Sequence, residues 1–451
     1  MQLRFLGASE TVTGSRFLLE INDFKILIDC GLFQGDRELK ERNWAPFPIH
    51  PNSIDAVLLT HAHIDHSGYL PALVKQGYKG FIHLTEGTYE LSRILLMDSA
   101  HLQEEDALFA SKKRYSRHQP AKPLYGTEDA EKTIDQFKPH PFNQPFLLFP
   151  NLSVEFLEGG HILGAAIIRI KIDGKTIIFS GDLGRPNDPI MHSPALIDRA
   201  DYVIMESTYG NRVQEKNIDP MNQLEEIINK TVKQGGVILI PSFAVGRAQT
   251  LLYFIAQLKL RNKIPDIPVF VDSPMATSVS ALFCEHPRLH KLNSVMCERV
   301  FDSVTYTRTV EESKMLNYMT SPRIIVSASG MLEGGRILHH LKNYIEDPKN
   351  TIVFTGYQAE GTTGRYLSGG GKRVRIHGEE YSVQAEIKTI ENLSAHADSK
   401  ELLDWLQHIK EPKIVFLVHG EPESSSELAK NIETYLGLTV VVAKYNQVVT
   451  L

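Results

Sequence analysis

The sequence predicts an α/β protein in which a second α/β domain, built on a parallel sheet, is inserted into the first. Three observations predict this fold class. Short apolar strands ending in His, Asp or Glu occur near both ends of the chain, and strand–helix units fill the middle. The 451 residues also exceed what one hydrophobic core usually holds. We predict that residues 1–206 and 391–451 form the first domain and residues 207–390 the inserted one.

The first domain is predicted from strands that each end in a metal-binding or acidic residue. These strands are residues 25–28 before Asp29, 57–59 before His61, 154–157 before His161, 176–179 before Asp182, 202–205 before Glu206, and 414–418 before His419. Buried strands of a layered fold often stop at one rim, where functional sites are assembled. We therefore expect residues near 29 and near 419 to be neighbours in space. A sequential division into two domains would separate them.

The inserted domain is predicted from a change of pattern after residue 207. A helix over 221–233 ends at Gly235-Gly236, and strands follow at 237–240, 269–271, 324–326 and 352–354. Buried strands that alternate with helices favour a parallel sheet. The strands lead into small hydroxyl or glycine residues at helix N-termini, which suits phosphate binding. The predicted phosphate-binding residues are Ser242, Arg247, Ser329 and Gly330.

Composition restricts the function classes. The chain is 42% hydrophobic and 23% charged, like ordinary soluble globular proteins, and lacks an apolar run of membrane-spanning length. A formal net charge of −6 argues against non-specific coating of nucleic acid. We interpret basic clusters at 112–122 and 372–375 as solvated faces. Cys30, Cys284 and Cys297 have no CxxC spacing, so we expect no disulfide, a cytoplasmic protein, and metal ligands drawn from His and Asp.

Four metal-binding side chains are crowded into the segment His61-Ala62-His63-Ile64-Asp65-His66. In an extended chain alternate side chains share a side, so His61 and His63 can bind one ion. Asp65 and His66 follow where the chain enters a helix, and they can face a second ion. This spacing is typical of a two-metal hydrolytic site. The alternative is a set of ordinary core or surface histidines.

The remaining ligands are predicted by counting, because each metal needs about four ligands and a catalytic site keeps one position for water. The candidates for one ion are His61, His63, His161 and Asp182, and those for the other are Asp65, His66, Asp182 and His419. Asp182 would bridge the ions, although Ser180-Gly181-Asp182 could also be a simple turn. A hydroxide between the metals could attack phosphorus in line.

Three further residues are assigned to the chemistry around the metals. His396 lies in a short polar turn and is not required as a ligand, so it is our candidate to assist the leaving oxygen. Glu206 could accept a hydrogen bond from its ring, unless it is only a solvent-exposed charge at a strand end. Asp65 is also placed among the catalytic residues. Asp29 is predicted to orient a ligating histidine or to hold the Asp65 loop.

These residues resemble the metallo-β-lactamase superfamily, and specifically its β-CASP branch of nucleases. The HxHxDH signature matches residues 61–66, and the other metal motifs match His161, Asp182 and His419. The β-CASP motifs match Glu206, His396 and, again, His419. The resemblance extends to the segments Pro241-Ser242-Phe243-Ala244-Val245-Gly246-Arg247, Asp272-Ser273-Pro274-Met275-Ala276 and Ser327-Ala328-Ser329-Gly330-Met331.

The resemblance implies a four-layer αββα domain, a β-CASP domain inserted as a cap, two zinc ions, and phosphodiester hydrolysis of RNA. RNA-processing members of the branch carry histidine where this chain has His419, whereas DNA-repair members carry an aliphatic residue. We therefore expect single-stranded RNA as the substrate and no membrane association. Mn²⁺ stays open as the working ion, and a homodimer stays open as the oligomeric state.

Other function classes stay open at this point. A metallo-hydrolase of a small ester or thioester would share the HxHxDH segment and suit the acidic net charge. About 180 inserted residues are a large cap for so small a ligand. A DNA-directed nuclease of the same superfamily is the other enzymatic alternative. A metal-stabilised binding module within an RNA-processing complex is the non-enzymatic one.

Overall fold

A computed structural model describes residues 1–113, 120–214, 219–356, 358–359 and 361–451. Arg114 and Arg117, from the first basic cluster, lie outside these residues. The described chain forms two compact units, unit 1 with Met1–Val213 and His396–Leu451, and unit 2 with Gln214–Ala395. The boundaries predicted at 206/207 and 390/391 stay predictions. Among the described residues no helix combines the length and apolar character needed to cross a membrane.

Unit 1 is built on fourteen strands and seven helices within its described residues. The strands are β1 (Gln2–Phe5), β2 (Phe17–Ile21), β3 (Phe24–Ile28), β4 (Ala56–Leu58), β5 (Ile82–Thr85), β6 (Phe137–His140), β7 (Phe146–Phe149), β8 (Leu152–Glu158), β9 (Ala166–Ile172), β10 (Lys175–Phe179), β11 (Tyr202–Glu206), β20 (Ile414–Val418), β21 (Val440–Val442) and β22 (Val448–Thr450). The helices are α1 (Arg37–Arg42), α2 (Ile64–Ser67), α3 (Leu70–Lys75), α4 (Glu86–Lys113), α5 (Thr127–Ile134), α13 (Ser399–Leu406) and α14 (Pro422–Leu436).

The strands of unit 1 form two seven-stranded sheets, in the orders β22-β1-β2-β3-β4-β5-β6 and β21-β20-β11-β10-β9-β8-β7. Each sheet has one antiparallel part and one parallel part, the parallel parts being β3–β6 and β10-β11-β20-β21. Because parallel strands end at the same edge, the residues that follow β3 and β4, and those that follow β10, β11 and β20, are grouped.

Hydrophobic side chains order unit 1 into four layers. Phe5, Ile28, Phe156 and Ile204 belong to a buried core between the inner faces of the two sheets. The outer face of the first sheet packs with α3, α4 and α5, and that of the second with α13 and α14. The αββα architecture expected from the resemblance is therefore confirmed.

Unit 2 contains a parallel sheet flanked by helices, as its sequence pattern predicts. Its strands are β12 (Val237–Pro241), β13 (Val269–Asp272), β14 (Thr305–Tyr306), β15 (Arg323–Ser327), β16 (Thr351–Phe354), β17 (Arg373–Ile376), β18 (Glu379–Ser382) and β19 (Glu386–Thr389). Its helices are α6 (Pro220–Lys233), α7 (Arg247–Leu260), α8 (Pro274–Glu285), α9 (Ser294–Phe301), α10 (Val310–Met315), α11 (Arg336–Tyr344) and α12 (Thr363–Ser368). The main sheet runs β14-β13-β15-β12-β16-β19, and β17 and β18 form a separate hairpin.

Asp272 is the polar centre of unit 2. Its side chain is fully buried at the end of β13. The carboxylate accepts hydrogen bonds from Arg336 at 2.8 Å, from His340 at 2.6 Å, and from the hydroxyls of Thr307 and Ser313 at 2.5 Å. Burial opposes the ionised form, but these donors outweigh it and hold the pKa of the Asp272 carboxyl well below its ordinary range.

We expect Asp272→Asn to lower the free energy of unfolding of unit 2 by about 3 kcal/mol at neutral pH, because Arg336 and His340 lose a buried anion. A carboxyl whose pKa is lowered by folding stabilises the protein above its unfolded pKa of about 3.9. That stabilisation is lost as the pH falls through the folded value. Thermal unfolding from pH 7 to pH 2 should show a difference between the two proteins that is constant near neutral pH and narrows progressively below about pH 4. A difference that is constant with pH would contradict this account.

Candidate metal centre

The metal-binding segment predicted from the sequence lies where β4 passes into α2. His61 and His63 stand in the connection, with His63 in an extended conformation just before the first turn of α2. Asp65 and His66 are inside that short helix, which turns their side chains in a new direction. The two halves of the motif therefore face two neighbouring positions.

The other predicted ligands follow strands that end at the same edge. His161 follows β8, Asp182 follows β10 and His419 follows β20. Gly181 before Asp182 has φ +55°, and an added Cβ there would lie 2.8 Å from Cβ of Thr60. Only glycine permits this close approach of the β10 end to the metal-binding segment.

One cluster contains His61, His63, His161 and Asp182, whose nearest ligand atoms all lie within 4.8 Å of one another. Nδ1 of His63 lies 3.1 Å from Nε2 of His61 and 3.2 Å from Nε2 of His161. Oδ2 of Asp182 is 3.4 Å from Nε2 of His61 and 3.7 Å from Nε2 of His161. The structure therefore brings together all four residues predicted for the first ion.

The second cluster contains Asp65, His66 and His419. Nε2 of His66 lies 3.0 Å from Nε2 of His419, which is 3.3 Å from Oδ2 of Asp65. Asp182 contributes its other oxygen here, since Oδ1 lies 3.3 Å from Nε2 of His66 and 3.7 Å from Nδ1 of His419. The two oxygens of one buried carboxylate thus face two different sets of nitrogen atoms.

These two clusters fit divalent metal ions. Burial lowers the pKa of His61 and His161, and that of His63 to about 3, so their rings are neutral and offer lone pairs. Ligands about 2.0–2.1 Å from a tetrahedral zinc ion lie roughly 3.3–3.4 Å apart, close to the separations observed. Oδ1 of Asp182 is buried and has no hydrogen-bond partner among the described residues. A cation would satisfy atoms that protein donors do not.

Asp29 and two threonines hold the histidine rings. Asp29 is buried, and its Oδ2 lies 2.7 Å from Nδ1 of His66, which leaves Nε2 of that ring directed to the cluster. The hydroxyl of Thr60 donates to Asp29 at 2.8 Å and lies 3.1 Å from Nδ1 of His61. The hydroxyl of Thr208 lies 3.1 Å from Nδ1 of His419. The two threonines were missed by sequence reasoning, although each lies within two residues of a predicted site residue.

His396 lies beside the first cluster and is paired with Glu206. Nδ1 of His396 is 3.1 Å from Oε2 of Glu206 and 3.9 Å from Oδ2 of Asp182. Glu206 is buried, and its Oε1 accepts a hydrogen bond from the backbone N–H of Leu183 at 2.5 Å. Burial disfavours the charged imidazole, but the carboxylate of Glu206 outweighs it and raises the pKa of His396 to about 9.

Arg16 is a buried cation that supports the metal-binding segment, and sequence reasoning missed it. Its Nε and Nη2 both donate to the carbonyl of Gly31, at 2.9 and 2.8 Å, and its guanidinium lies 4.0 Å from the ring centroid of Tyr69. The carbonyls of 64, 65 and 66 accept hydrogen bonds from the backbone N–H groups of 32, 15 and 30. Arg16 therefore fixes the strand end to which the Asp65–His66 backbone is hydrogen-bonded. A lone arginine has no spacing signal that could have revealed this.

The four predicted phosphate-binding residues lie at one edge of the unit 2 sheet. The backbone N–H of Ser242, after β12, donates to Ser327 at the end of β15. Gly330 follows β15 and approaches Phe243 so closely that an added Cβ would be 3.0 Å from its ring. Arg247 begins α7, and its guanidinium lies against Gly356 after β16. The hydroxyl of Ser329 donates to the carbonyl of Gly334 at 3.3 Å and accepts from the N–H of Glu333 at 3.1 Å.

Three family descriptions match successive parts of the chain. "Metallo-beta-lactamase superfamily" matches residues 12–211, "Beta-Casp domain" matches residues 248–367, and "Zn-dependent metallo-hydrolase RNA specificity domain" matches residues 380–443. A solved structure of a protein of unknown function from Enterococcus faecalis V583 is similar in fold, with a TM-score of 0.55 and 13% identity over 100% of this chain and 99% of that one.

Ribonuclease TTHA0252 of Thermus thermophilus is similar in sequence, with 38% identity over 99% of both chains. The RNase J-like protein of Methanocaldococcus jannaschii is 30% identical over 95% of both chains. Transcription termination factor FttA of Methanosarcina mazei is 30% identical over 95% of this chain and 68% of that protein.

The four-layer fold and the convergent histidines and carboxylates define a metal-dependent hydrolase of the metallo-β-lactamase superfamily. Within that superfamily, the chain belongs to the β-CASP ribonuclease family. The family resemblance stated from the sequence motifs is therefore confirmed, and so is the prediction of a metal-dependent hydrolase.

We expect Arg16→Met to lower the affinity for zinc about tenfold or more, because the support of the Asp65–His66 backbone is lost. Arg16→Lys should recover little, since an ammonium cannot donate two N–H groups in one plane to Gly31 while lying on Tyr69. Zinc affinity measured against a competing chelator, together with the thermal midpoint of the metal-free protein, checks this. Arg37→Met, on the exposed surface of α1, is the matched control. Equal zinc affinity in the Arg16 and Arg37 variants would contradict the assignment.

Proposed function

We propose that this protein is a two-zinc ribonuclease that hydrolyses phosphodiester bonds of single-stranded RNA. The observation that carries the proposal is the division of the Asp182 carboxylate between two clusters of ligand atoms. One zinc would be held by His61, His63, His161 and Asp182. The other would be held by Asp65, His66, His419 and the same Asp182. When bound, a pair of zinc ions supplies a nucleophilic hydroxide at neutral pH and neutralises charge that develops on the phosphate.

The protein's own side chains would do the positioning and the proton transfer. Asp29 holds the ring of His66, and Thr208 contacts that of His419, so both rings keep a fixed orientation. We assign the leaving-oxygen proton to Nε2 of His396, because Nδ1 of that ring is directed to Glu206 at 3.1 Å. Glu206 is itself held by the backbone of Leu183, so the histidine keeps one orientation through the reaction.

We propose that Ser242, Arg247, Ser329 and Gly330 of unit 2 bind phosphates of the RNA. Three of them follow neighbouring parallel strands, Ser242 after β12 and Ser329 and Gly330 after β15, and Arg247 starts the helix after Ser242. Small residues permit close approach of a phosphate to backbone N–H groups, and an arginine supplies charge. RNA is favoured over DNA by His419 at the discriminating family position and by the names of the relatives, which include a ribonuclease.

The function is tested by cleavage of end-labelled single-stranded RNA, single-stranded DNA and both duplexes, measured beside the metal content of the same preparation. We expect about two zinc ions per chain and cleavage of single-stranded RNA that is lost on chelation and restored by zinc or Mn²⁺. Turnover of esters or thioesters without RNA cleavage would favour the small-substrate hydrolase. Preference for DNA would favour the other nuclease class.

We expect His396→Ala to keep both metal ions and to lose about 10²–10⁴-fold in the rate of RNA cleavage, because the leaving oxygen no longer receives its proton. His408→Ala is the matched control, since His408 is an exposed histidine of the same unit and its ring bonds locally, at 2.7 Å, to the backbone carbonyl of Asp404. Cleavage rates under single-turnover conditions and zinc content are measured for both proteins. An RNA with a better leaving group at the cleaved bond should lose less rate in His396→Ala. Cleavage by His396→Ala at the rate of the His408 variant would refute the role of His396.

A further inference from the structure

Two of the three cysteines of the chain meet in unit 2, far from any predicted ligand in sequence. Cys284 lies in the last turn of α8, and Cys297 lies in the first turn of α9. Their Sγ atoms are 2.6 Å apart. Non-bonded heavy atoms pack at roughly 3.5–4.0 Å, so the two sulfur atoms are already closer than separate groups would be. A small further approach would bring them to bonding distance.

The segment between the two cysteines is held in place by its own hydrogen bonds. His290 is buried, and its Nε2 donates to the carbonyl of Phe283 at 2.6 Å while its Nδ1 accepts from the N–H of Leu292 at 3.1 Å. The side chain of Asn293 accepts from the N–H of Met296 at 2.8 Å and caps α9. The end of α8 and the start of α9 therefore keep the two thiols together without a rearrangement of the backbone.

The two thiols differ in accessibility. Cys284 is exposed, whereas Cys297 is 1% exposed. A dissolved disulfide therefore reaches Cys284 first and forms a mixed disulfide there. Cys297 is placed to attack that mixed disulfide. Burial raises the pKa of both thiols, so both are protonated at neutral pH and each must lose its proton before it attacks a disulfide.

We propose that Cys284 and Cys297 are a reversible disulfide site, oxidised by low-molecular-weight disulfides such as oxidised glutathione. Cys284 loses its proton to solvent, and its thiolate attacks one sulfur of glutathione disulfide, which forms a mixed disulfide and releases one glutathione thiolate that takes up a proton. Cys297 then attacks Cys284 Sγ, and its proton passes to the leaving glutathione sulfur, which is released as the second glutathione thiol. Two protein thiols are oxidised and one small disulfide is reduced to two thiols. The bond would join the end of α8 to α9 covalently.

The bond is detected by treating the full-length protein with oxidised glutathione, blocking the remaining thiols, and digesting with trypsin without reductant. Arg288 and Lys291 lie between the two cysteines, so trypsin separates their peptides unless a disulfide joins them. We expect joined peptides from a single chain, with free thiols falling from three to one and a reductant restoring all three. Cys30→Ala should form the same bond, because Cys30 is fully buried in unit 1. Cys297→Ala should stop with glutathione attached to Cys284.

The thermal midpoint gives an independent measurement. Closing this short loop should raise the unfolding midpoint of unit 2 by about 5 °C in the oxidised protein relative to the reduced one. Cys284→Ser, treated in the same way, should show no shift. Three results would overturn the proposal, namely retention of all three thiols, glutathione on Cys284 of the unmutated protein without a bond to Cys297, and a disulfide between two chains. None of these results depends on RNA cleavage, so the proposed ribonuclease function is tested separately.

Discussion

The structure of unit 1 depends on one buried carboxylate. Asp182 is 3% exposed and stands between His61 and His66, with a different oxygen directed to each. Burying a carboxylate costs several kcal/mol unless opposite charge or donors surround it. His61, whose pKa is lowered by burial, offers a neutral ring, whereas the carboxylates of Asp182 and Asp29 outweigh burial and raise the pKa of His66 well above its ordinary value, so that ring supplies part of the compensation. Divalent cations between the two sets of ligand atoms would supply more. The two sheets therefore form a frame that holds the Asp182 carboxylate and the surrounding histidines in position to bind metal. Gly181 is part of this frame because it permits the close approach to Thr60.

The local part of this frame could be predicted from the sequence because it depends on backbone periodicity. Alternation places His61 and His63 together, and the start of a helix turns Asp65 and His66 away from them. The order of strands in the sheets could not be predicted in the same way, since the sequence of an apolar strand does not specify which strands pair with it. His419 could be predicted to lie near His66 because six strands end in metal-binding or acidic residues. In the structure the Nε2 atoms of the two rings are 3.0 Å apart. Ligand chemistry supplied the long-range information that hydrophobic pattern lacks.

Other features depend on tertiary neighbours and left no pattern along the chain. Arg16 acts through the carbonyl of Gly31 and an aromatic ring, and a single arginine is not distinguished by type or spacing. The approach of Cys284 to Cys297 depends on how α8 packs on α9, and no CxxC spacing marks the pair in the sequence. Asp272 ends a strand of unit 2, yet its carboxylate is engaged by donors of its own unit. Polar residues at strand ends thus have two uses, and only the three-dimensional neighbours distinguish them.

The position of the inserted unit explains how so long an interruption leaves the metal centre intact. β11 and β20 flank the insertion in sequence, yet they pair in parallel register, with Glu206 opposite Val418. The N–H of Ser399, at the start of α13, donates to the carbonyl of Arg212, which follows β11, at 2.8 Å, so the chain leaves and returns at one place. Loop-closure entropy grows slowly with length, which makes a folded insertion at such a place inexpensive. The Glu206–His396 pair spans this same junction. Leu183 connects the two sides of the junction, because its N–H donates to Glu206 at 2.5 Å and its carbonyl accepts from the N–H of Ala397 at 2.8 Å. The residues proposed for proton transfer are therefore held at their 3.1 Å contact by the segment that follows Asp182.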